Sequence, residues 1–157
     1  PKLDNAPSKL YFPPLLQFLL YGIAGYALAA ILSALRFHLE ALFWVSIVLV
    51  LTGLVVLLLS VRSFGKAGTT VSPIEPDKAG NLVTTGLYRF TRNPMYLGML
   101  LVLLGGAVGL QNIAALSAPI LFAISVTFFQ IIPEERVLAQ SFGSTFADYC
   151  NQTRRWI

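Results

Sequence analysis

The stretch Gly86-Leu-Tyr-Arg-Phe-Thr-Arg-Asn-Pro-Met-Tyr-Leu-Gly98 marks the point where a polar, basic loop meets a membrane-length apolar run. Asn93 followed by Pro94 is a helix-start signal. An asparagine side chain can accept bonds from first-turn amides, and proline at the first helical position gives up an N–H that has no partner there. The pair predicts a helix that begins at Pro94 with its N-terminus at a membrane surface. Such an N-terminus favours anions, and Arg89 and Arg92 add positive charge beside it.

The composition is that of an integral membrane protein. Of the 157 residues, 56% are hydrophobic and only 11% are charged, whereas a soluble domain has about 25% charged residues. This length suffices for one bundle of spanning helices. The net charge of +4 indicates contact with anionic lipid headgroups rather than nucleic acid. With Cys150 and His38 as the single residues of their types, we expect no disulfide and no metal centre.

Hydropathy predicts an all-α fold with four spanning helices. The predicted spans are residues 15–35, 41–61, 94–111 and 113–132. We interpret the first as a mature helix rather than a signal peptide, because its apolar run is longer than a typical signal core. The fourth should bend at Pro119 and end at Pro133. A short interfacial helix should then run from Glu134 to about Phe142, with Gly143 as its C-cap.

The cations predict the orientation of this bundle. With four spans, the N-terminus, the long loop 62–93 and the C-terminus share one side of the membrane. Among the eleven Lys and Arg residues, only Arg36 falls on the other side. The positive-inside rule therefore predicts that both termini and the loop are cytoplasmic.

A pair of acids lies on the same predicted side as the basic loop. Because a short turn joins spans three and four, Glu134 and Glu135 should lie near the helix start at Pro94. A ligand with a carboxylate, an ammonium and a sulfonium would suit this arrangement, and the methionine part of S-adenosylmethionine has all three. The hypothesis is that Asn93 and the amides after Pro94 bind the carboxylate, while a glutamate binds the ammonium.

These features also have structural explanations that remain open at this point. Acids in a first helical turn are favoured by the helix dipole alone. Arginines and the two tyrosines, Tyr88 and Tyr96, ahead of a span also fit a basic, aromatic membrane anchor.

The same residues resemble a motif of the isoprenylcysteine carboxyl methyltransferase family and its phospholipid methyltransferase relatives. That motif reads Gly-x-Tyr-Arg-x-x-Arg-His-Pro-x-Tyr-x-Gly, followed later by Glu-Glu. Its matches here are Gly86, Tyr88, Arg89, Arg92, Pro94, Tyr96, Gly98 and Glu134-Glu135. Asn93 stands where the family has histidine. The resemblance covers residues 62–157. Bacterial members carry a stretch similar to Ala67-Gly-Thr-Thr70, so we expect a protein of a bacterial inner membrane.

The resemblance implies a single methyltransferase domain over residues 1–157, with a cofactor region formed by residues 62–98 and 133–157. It implies S-adenosylmethionine as cofactor, S-adenosylhomocysteine as product, and a lipid-like or small apolar acceptor of the isoprenylcysteine carboxylate type. Catalytic roles go to Arg89 and Glu135. The implied cofactor-binding residues are Tyr88, Arg92, Asn93, Pro94, Tyr96, Leu97, Gly98, Glu134 and Glu135. The role of Thr69-Thr70 and the oligomeric state stay open.

Three alternatives remain at the level of sequence. The chain could N-methylate a phospholipid of the phosphatidylethanolamine type. It could be an NADPH-dependent sterol-type reductase, whose C-terminal pattern is similar although such chains are usually longer. It could also be a four-helix membrane module without activity, since Asn93 replaces the usual histidine.

Overall fold

The chain folds as a bundle of α-helices. The computed structural model describes residues 12–67 and 82–157. Within these ranges the helices are α1 (Pro14–Ile31), α2 (Glu40–Ala67), α3 (Pro94–Gly109), α4 (Ser117–Val126) and α5 (Ile132–Gln152). Short 3-10 turns lie at Ser33–Leu35, Gly86–Arg89 and Ile113–Leu116, and a π-helical turn, Thr127–Ile131, joins α4 to α5. The described residues contain no β-strand, only one isolated bridge.

The helices are those of a membrane-spanning bundle, as predicted. Three helical stretches are long and apolar enough to cross a membrane: Pro14–Ile31, Glu40–Ser63 and Ile113–Gln152. The fourth apolar helix, α3, has 16 residues and is about 24 Å long, a little short of a ~30 Å hydrocarbon core. Large apolar side chains on α1, α2 and α4 are exposed on the bundle surface, which suits contact with lipid.

The predicted ends of the first three spans need correction. The helix α1 ends at Ile31 and not at residue 35, and α3 ends at Gly109 and not at residue 111. The helix α2 continues to Ala67, six residues beyond the predicted end, so residues 62–67 are helical rather than part of the loop. For α2 the prediction equated the end of the apolar run with the end of the helix. Arg62 and Lys66 follow that run, and both residue types are good helix formers.

The fourth span does not end at Pro133, which is the largest correction. The chain continues through the π-helical turn into α5, where Pro133 occupies the first turn. The Ile132 N–H donates to the Thr127 carbonyl, five residues earlier. This wider turn accommodates the proline ring, which would clash with a carbonyl in a regular helix. Pro119 likewise lies in the first turn of α4, where a missing N–H does not break the helix.

The last helix is also longer than predicted. Gly143 adopts φ +51°, a left-handed conformation that suits a glycine C-cap. However, the chain resumes a helical path after this kink and continues to Gln152. Phe146 and Tyr149 from this second part are buried, so this part of the chain packs into the protein.

Close contact between α2 and α3 fixes the position of the α3 N-terminus. A Cβ atom added at Gly98 would lie 2.7 Å from Leu57 Cγ and 2.9 Å from the Gly53 carbonyl oxygen. A Cβ added at Gly53 would meet the Gly98 carbonyl oxygen at 2.7 Å. Glycine at both positions allows the two backbones to approach closely. Gly98 therefore faces the neighbouring helix α2.

Hydrogen bonds connect the turns at one end of the bundle. Arg36 and Asn112 form the antiparallel bridge, and the Phe37 N–H donates to the Gln111 carbonyl at 2.9 Å. Asn112 Nδ2 donates to the Leu32 carbonyl at 3.0 Å and so satisfies the end of α1. Because each helix crosses the bundle once, the starts of α1 and α3, the end of α2 and the π-helical turn meet at the opposite end. We call this opposite end the site end.

Candidate functional site

Four segments meet at the site end. These are the loop 86–93, the first turn of α3, the π-helical turn with the first turn of α5, and the C-terminal segment, residues 153–157. A buried apolar cluster underlies them, formed by Tyr96, Leu103, Phe122, Val126 and Ile131. The prediction that Glu134 and Glu135 lie near the start of span three is therefore confirmed.

Glu134 is held by neutral donors. The Tyr96 hydroxyl donates to its Oε1 at 2.6 Å, and Gln130 Nε2 donates to the same oxygen at 2.7 Å. Tyr96 reaches this carboxylate from the first turn of α3, and Gln130 reaches it from the π-helical turn. A carboxylate offers about four acceptor positions, of which these two bonds use two. This carboxylate can therefore accept from a further, cationic donor.

Glu135 is held by two arginines. Its Oε1 accepts from Arg92 at 2.9 Å, and its Oε2 accepts from the Arg155 guanidinium at 2.7 Å. Arg155 Nε makes a third bond, to Oε1, at 3.0 Å. The Glu135 side chain is 18% exposed, Arg92 is 13% and Arg155 is 40% exposed. The two neighbouring acids thus have different environments, and only Glu135 has its charge compensated by these arginines.

Arg92 connects the loop to the C-terminal part of the chain. Besides Glu135, its guanidinium donates to the carbonyls of Cys150 at 3.2 Å and Thr153 at 3.0 Å. Its backbone N–H donates to the Arg154 carbonyl at 2.9 Å. These bonds order the C-terminal segment against the site. They favour a positioning role for Arg92, whereas its predicted cofactor binding stays a prediction.

Asn93 precedes α3 as predicted but does not cap it with its side chain. Instead, Asn93 Nδ2 donates to the Arg155 carbonyl at 3.0 Å. The same carbonyl accepts from the Thr91 hydroxyl at 3.3 Å. The expectation that this side chain accepts from first-turn amides is therefore wrong, because it donates to the C-terminal segment instead. Pro94 is the first helical residue, as predicted, and is fully buried.

Tyr88 and Tyr96 are buried inside the protein rather than placed as interface aromatics. The Tyr88 carbonyl accepts from the Tyr149 hydroxyl at 2.6 Å, which fixes the loop against α5. Burial raises the pKa of the Tyr88 phenol well above its usual value. The raised pKa favours the neutral hydroxyl at physiological pH. The predicted cofactor binding by Tyr88 stays a prediction.

Three other predicted site residues do not join the cluster. Arg89 is exposed, and its guanidinium makes no hydrogen bond or ion pair with another residue in the described ranges. Only its backbone carbonyl contacts the C-terminal segment, by accepting from the Thr153 hydroxyl at 3.4 Å. Leu97 is half-buried along α3, and Gly98 faces α2. The predicted catalytic role of Arg89 and the cofactor roles of Leu97 and Gly98 stay predictions.

Sequence reasoning missed two residues that the fold brings to the Glu pair. Gln130 is an amide within an apolar run, four residues before Glu134. Polar residues inside a span are functional candidates by default, and this signal was available. Arg155 lies outside the motif that carries the family resemblance, so no role at the site was predicted for it. Its pairing with Glu135 depends on the extension of α5 to Gln152, which the sequence did not predict.

The described residues contain no group of His, Cys, Asp and Glu side chains that could hold a metal ion. His38 is exposed in the turn before α2, and the Cys150 thiol is free. The Thr69-Thr70 stretch lies outside the described residues.

The fold and the site define an integral membrane protein with a buried, charged polar cluster at one end of a helical bundle. A family described as phospholipid methyltransferase matches residues 41–145. Protein-S-isoprenylcysteine O-methyltransferase A of Arabidopsis thaliana is 33% identical over 138 residues, which cover 79% of this chain and 68% of that protein. The B protein of the same plant is 31% identical over 141 residues, covering 81% and 70%.

An uncharacterized protein of Haemophilus influenzae is 38% identical over 63 residues, 40% of this chain and all of that protein. No solved structure matches the chain. The family match and the Arabidopsis relatives together show that this chain belongs to the isoprenylcysteine and phospholipid methyltransferase family, a family of membrane methyltransferases.

Proposed function

We propose that the chain is an S-adenosylmethionine-dependent methyltransferase that acts on a lipid-like acceptor with a carboxylate, such as an isoprenylcysteine. The observation that carries the proposal is the convergence of the α3 N-terminus on the Glu pair. Tyr96 lies 2.6 Å from Glu134, and Arg92 lies 2.9 Å from Glu135. The names of the Arabidopsis relatives support the class of acceptor.

The donor set fits the methionine part of this cofactor. An ammonium needs acceptors, and Glu134 has neutral partners and capacity for a further donor. A carboxylate needs donors, and Asn93 Nδ2 has a second hydrogen besides the one donated to Arg155. The first-turn amides of α3, which the Asn93 side chain leaves uncapped, add the positive end of a helix. Bound here, the cofactor would supply an electrophilic methyl group.

The reaction that we propose is an in-line displacement. A carboxylate oxygen of the acceptor forms a bond to the methyl carbon, the carbon–sulfur bond breaks, and its electron pair stays on sulfur. The products are a methyl ester and the neutral thioether, and no proton is released. Because opposite charges disappear in this step, a site with little water favours it. The protein's part is to orient both reactants and exclude water.

Within this proposal Glu134 binds the cofactor ammonium, and Glu135 positions the C-terminal segment through Arg92 and Arg155. Arg89 lies on the exposed side of the loop, so its predicted catalytic role requires the loop to move toward the cofactor. The apolar part of the acceptor enters laterally between helices. We propose that the site end faces the cytoplasm, since the arginines of the described residues other than Arg36 lie toward this end.

The test is a methyl-transfer assay on the purified protein in lipid nanodiscs. The methyl donor is S-adenosylmethionine with a radiolabelled methyl group, and the acceptors are an N-acetyl-S-prenylcysteine and phosphatidylethanolamine. The proposal predicts label in the prenylcysteine, released as methanol by mild alkali because the product is an ester. Label that resists alkali in the phospholipid would instead establish N-methylation, the alternative that the matched family's description favours.

A cofactor-binding measurement separates the remaining classes. A ligand at 100 times its Kd should stabilise the protein by about 2.7 kcal/mol. The proposal predicts stabilisation by S-adenosylmethionine and S-adenosylhomocysteine but not by NADPH. Stabilisation by NADPH alone would indicate a reductase, and stabilisation by none of the three would indicate a module without this activity.

A further inference from the structure

The amide side chain of Gln130 is buried, and only its NH₂ group has a hydrogen-bond partner among the described residues. The residue is 4% exposed, and its Nε2 donates to Glu134 at 2.7 Å. Its Oε1 is buried and has no hydrogen-bond partner among the described residues. The orientation of the amide follows from this pairing, because an amide oxygen turned toward a carboxylate oxygen would be repelled. The carbonyl oxygen therefore points away from the carboxylate and lacks a donor.

A buried carbonyl without a donor destabilises a fold, and an apolar side chain of similar size would avoid that cost. Because no described residue supplies this donor, we expect it to come from a bound ligand. The π-helical turn, Thr127–Ile131, supports this interpretation, since such turns inside α-helices occur frequently at functional sites. Here the turn lies between the last residues of α4 and the Glu pair.

The surroundings indicate what kind of donor is missing. Gln130 and Tyr96 both donate to Glu134 and are neutral, so these bonds leave the negative charge of Glu134 uncompensated by a cation. The nearby arginines, Arg92 and Arg155, both bind Glu135. A cationic ligand with several N–H groups could bond to the Glu134 carboxylate and to the Gln130 carbonyl together.

We propose that Gln130 is a cofactor-binding residue whose Oε1 accepts a hydrogen bond from the α-ammonium of S-adenosylmethionine or S-adenosylhomocysteine, beside Glu134. This inference rests on the proposed function and names the group that would recognise the amino end of the cofactor. An ammonium has three donors. The carboxylate supplies the opposite charge, and the amide oxygen supplies a second, neutral acceptor that fixes the direction of the ammonium.

The experiment compares two ligands and three proteins by isothermal titration in nanodiscs. The ligands are S-adenosylhomocysteine, which has the α-ammonium, and 5′-methylthioadenosine, which lacks the amino-acid end. The proteins are the wild type, Gln130→Met and Gln17→Met. Gln17 is a matched control because it is a fully buried glutamine whose Nε2 donates to the Phe12 carbonyl and whose Oε1 accepts from Ser125.

The proposal predicts that Gln130→Met weakens the binding of S-adenosylhomocysteine roughly tenfold or more, since a bond to a charged group is lost. Binding of 5′-methylthioadenosine should change less than about twofold, and Gln17→Met should leave the ratio of the two affinities unchanged. Equal losses for both ligands would mean that Gln130 only supports the fold or binds a buried water, and would overturn the inference. Unchanged affinity for S-adenosylhomocysteine would overturn it as well.

Two further measurements keep the inference testable if Gln130→Met does not fold. Gln130→Glu retains an acceptor. This variant should therefore bind S-adenosylhomocysteine more tightly than it binds the analogue of that ligand without the α-amino group. The wild type itself should also prefer S-adenosylhomocysteine over that analogue, and equal affinities would refute the inference. Failure of the wild type to bind any adenosyl ligand would refute the proposed function together with this inference, whereas the other negative results leave the proposed function standing.

Discussion

Replacing Glu135 by glutamine should weaken the contact between the C-terminal segment and the loop ahead of α3. The substitution keeps the shape of the side chain but removes the charge that pairs with Arg92 and Arg155. It also turns one acceptor oxygen into an NH₂ group that faces guanidinium donors. Arg92 would then remain largely buried without an anionic partner, and its acceptors would be the Cys150 and Thr153 carbonyls and the one side-chain oxygen left at position 135.

The expected magnitude follows from the exposure of each pair. Arg155 is 40% exposed, so its pair with Glu135 contributes about 0–1 kcal/mol. Arg92 is 13% exposed, and breaking a buried pair costs about 3–5 kcal/mol. The two carbonyls that Arg92 retains reduce this cost. We therefore expect the opening of the C-terminal segment to become easier by roughly 2–4 kcal/mol in total.

Hydrogen exchange measured by mass spectrometry can detect this change, because the Arg92 N–H donates to the Arg154 carbonyl. Exchange of this amide should become at least about 30-fold faster, since every 1.4 kcal/mol is a factor of ten. The matched control is Asp148→Asn, which removes a charge from an exposed position of the same helix and should leave exchange unchanged. Equal exchange in Glu135→Gln and the wild type would refute the ion-pair reasoning.

Three further changes test the bundle and the loop. Gly98→Ala places a Cβ 2.7 Å from Leu57 and should lower the free energy of unfolding by about 1–3 kcal/mol. The control Gly106→Ala adds a Cβ that meets nothing within 4 Å and should not lower it. Equal effects of the two substitutions in a denaturation assay would contradict the described packing of α2 on α3. Asn112→Ala loses its bond to the Leu32 carbonyl and should cost about 1–3 kcal/mol in the same assay; no loss would contradict that tie. Arg89→Ala should leave the affinity for S-adenosylhomocysteine within about twofold, and a large loss would place its guanidinium at the cofactor.

The sequence was sufficient to predict the fold class, because apolar runs of membrane length report directly on spanning helices. It also predicted the helix start at Pro94 and the meeting of that start with the Glu pair. These predictions depend on strong local signals and on the short turn that makes α3 and α4 neighbours. Because bilayer thickness sets the length of each span, α3 and α4 have little freedom in how they are arranged.

The errors arose where tertiary structure overrides a local rule. Pro133 is a helix breaker by sequence, but the π-helical turn before it makes room for its ring. Gly143 resembles a helix end, yet the burial of Phe146 and Tyr149 favours a second helical piece after the kink. As a result, the contact between Arg155 and Glu135 was not foreseen.

Asn93 illustrates a different limit of sequence reasoning. Its position before a helix predicted a cap, and its place in the family motif predicted a ligand contact. In the structure its side chain does not cap the helix, and its amide donates to the Arg155 carbonyl instead. The contact with a ligand stays a prediction. A short polar side chain has several possible partners, and sequence alone does not rank a partner 62 residues away against one within the same turn.

The affinity of Glu134→Gln for S-adenosylhomocysteine, measured by titration calorimetry beside the wild type, tests the central claim most directly. That claim is that the α3 N-terminus and Glu134 form the two sides of one cofactor site. Losing a charge-assisted bond to the ammonium costs about 1.5–3 kcal/mol, so we expect binding roughly 10- to 100-fold weaker while the protein still folds. Affinity within about twofold of the wild type would contradict the account, because the cofactor ammonium would then bind elsewhere.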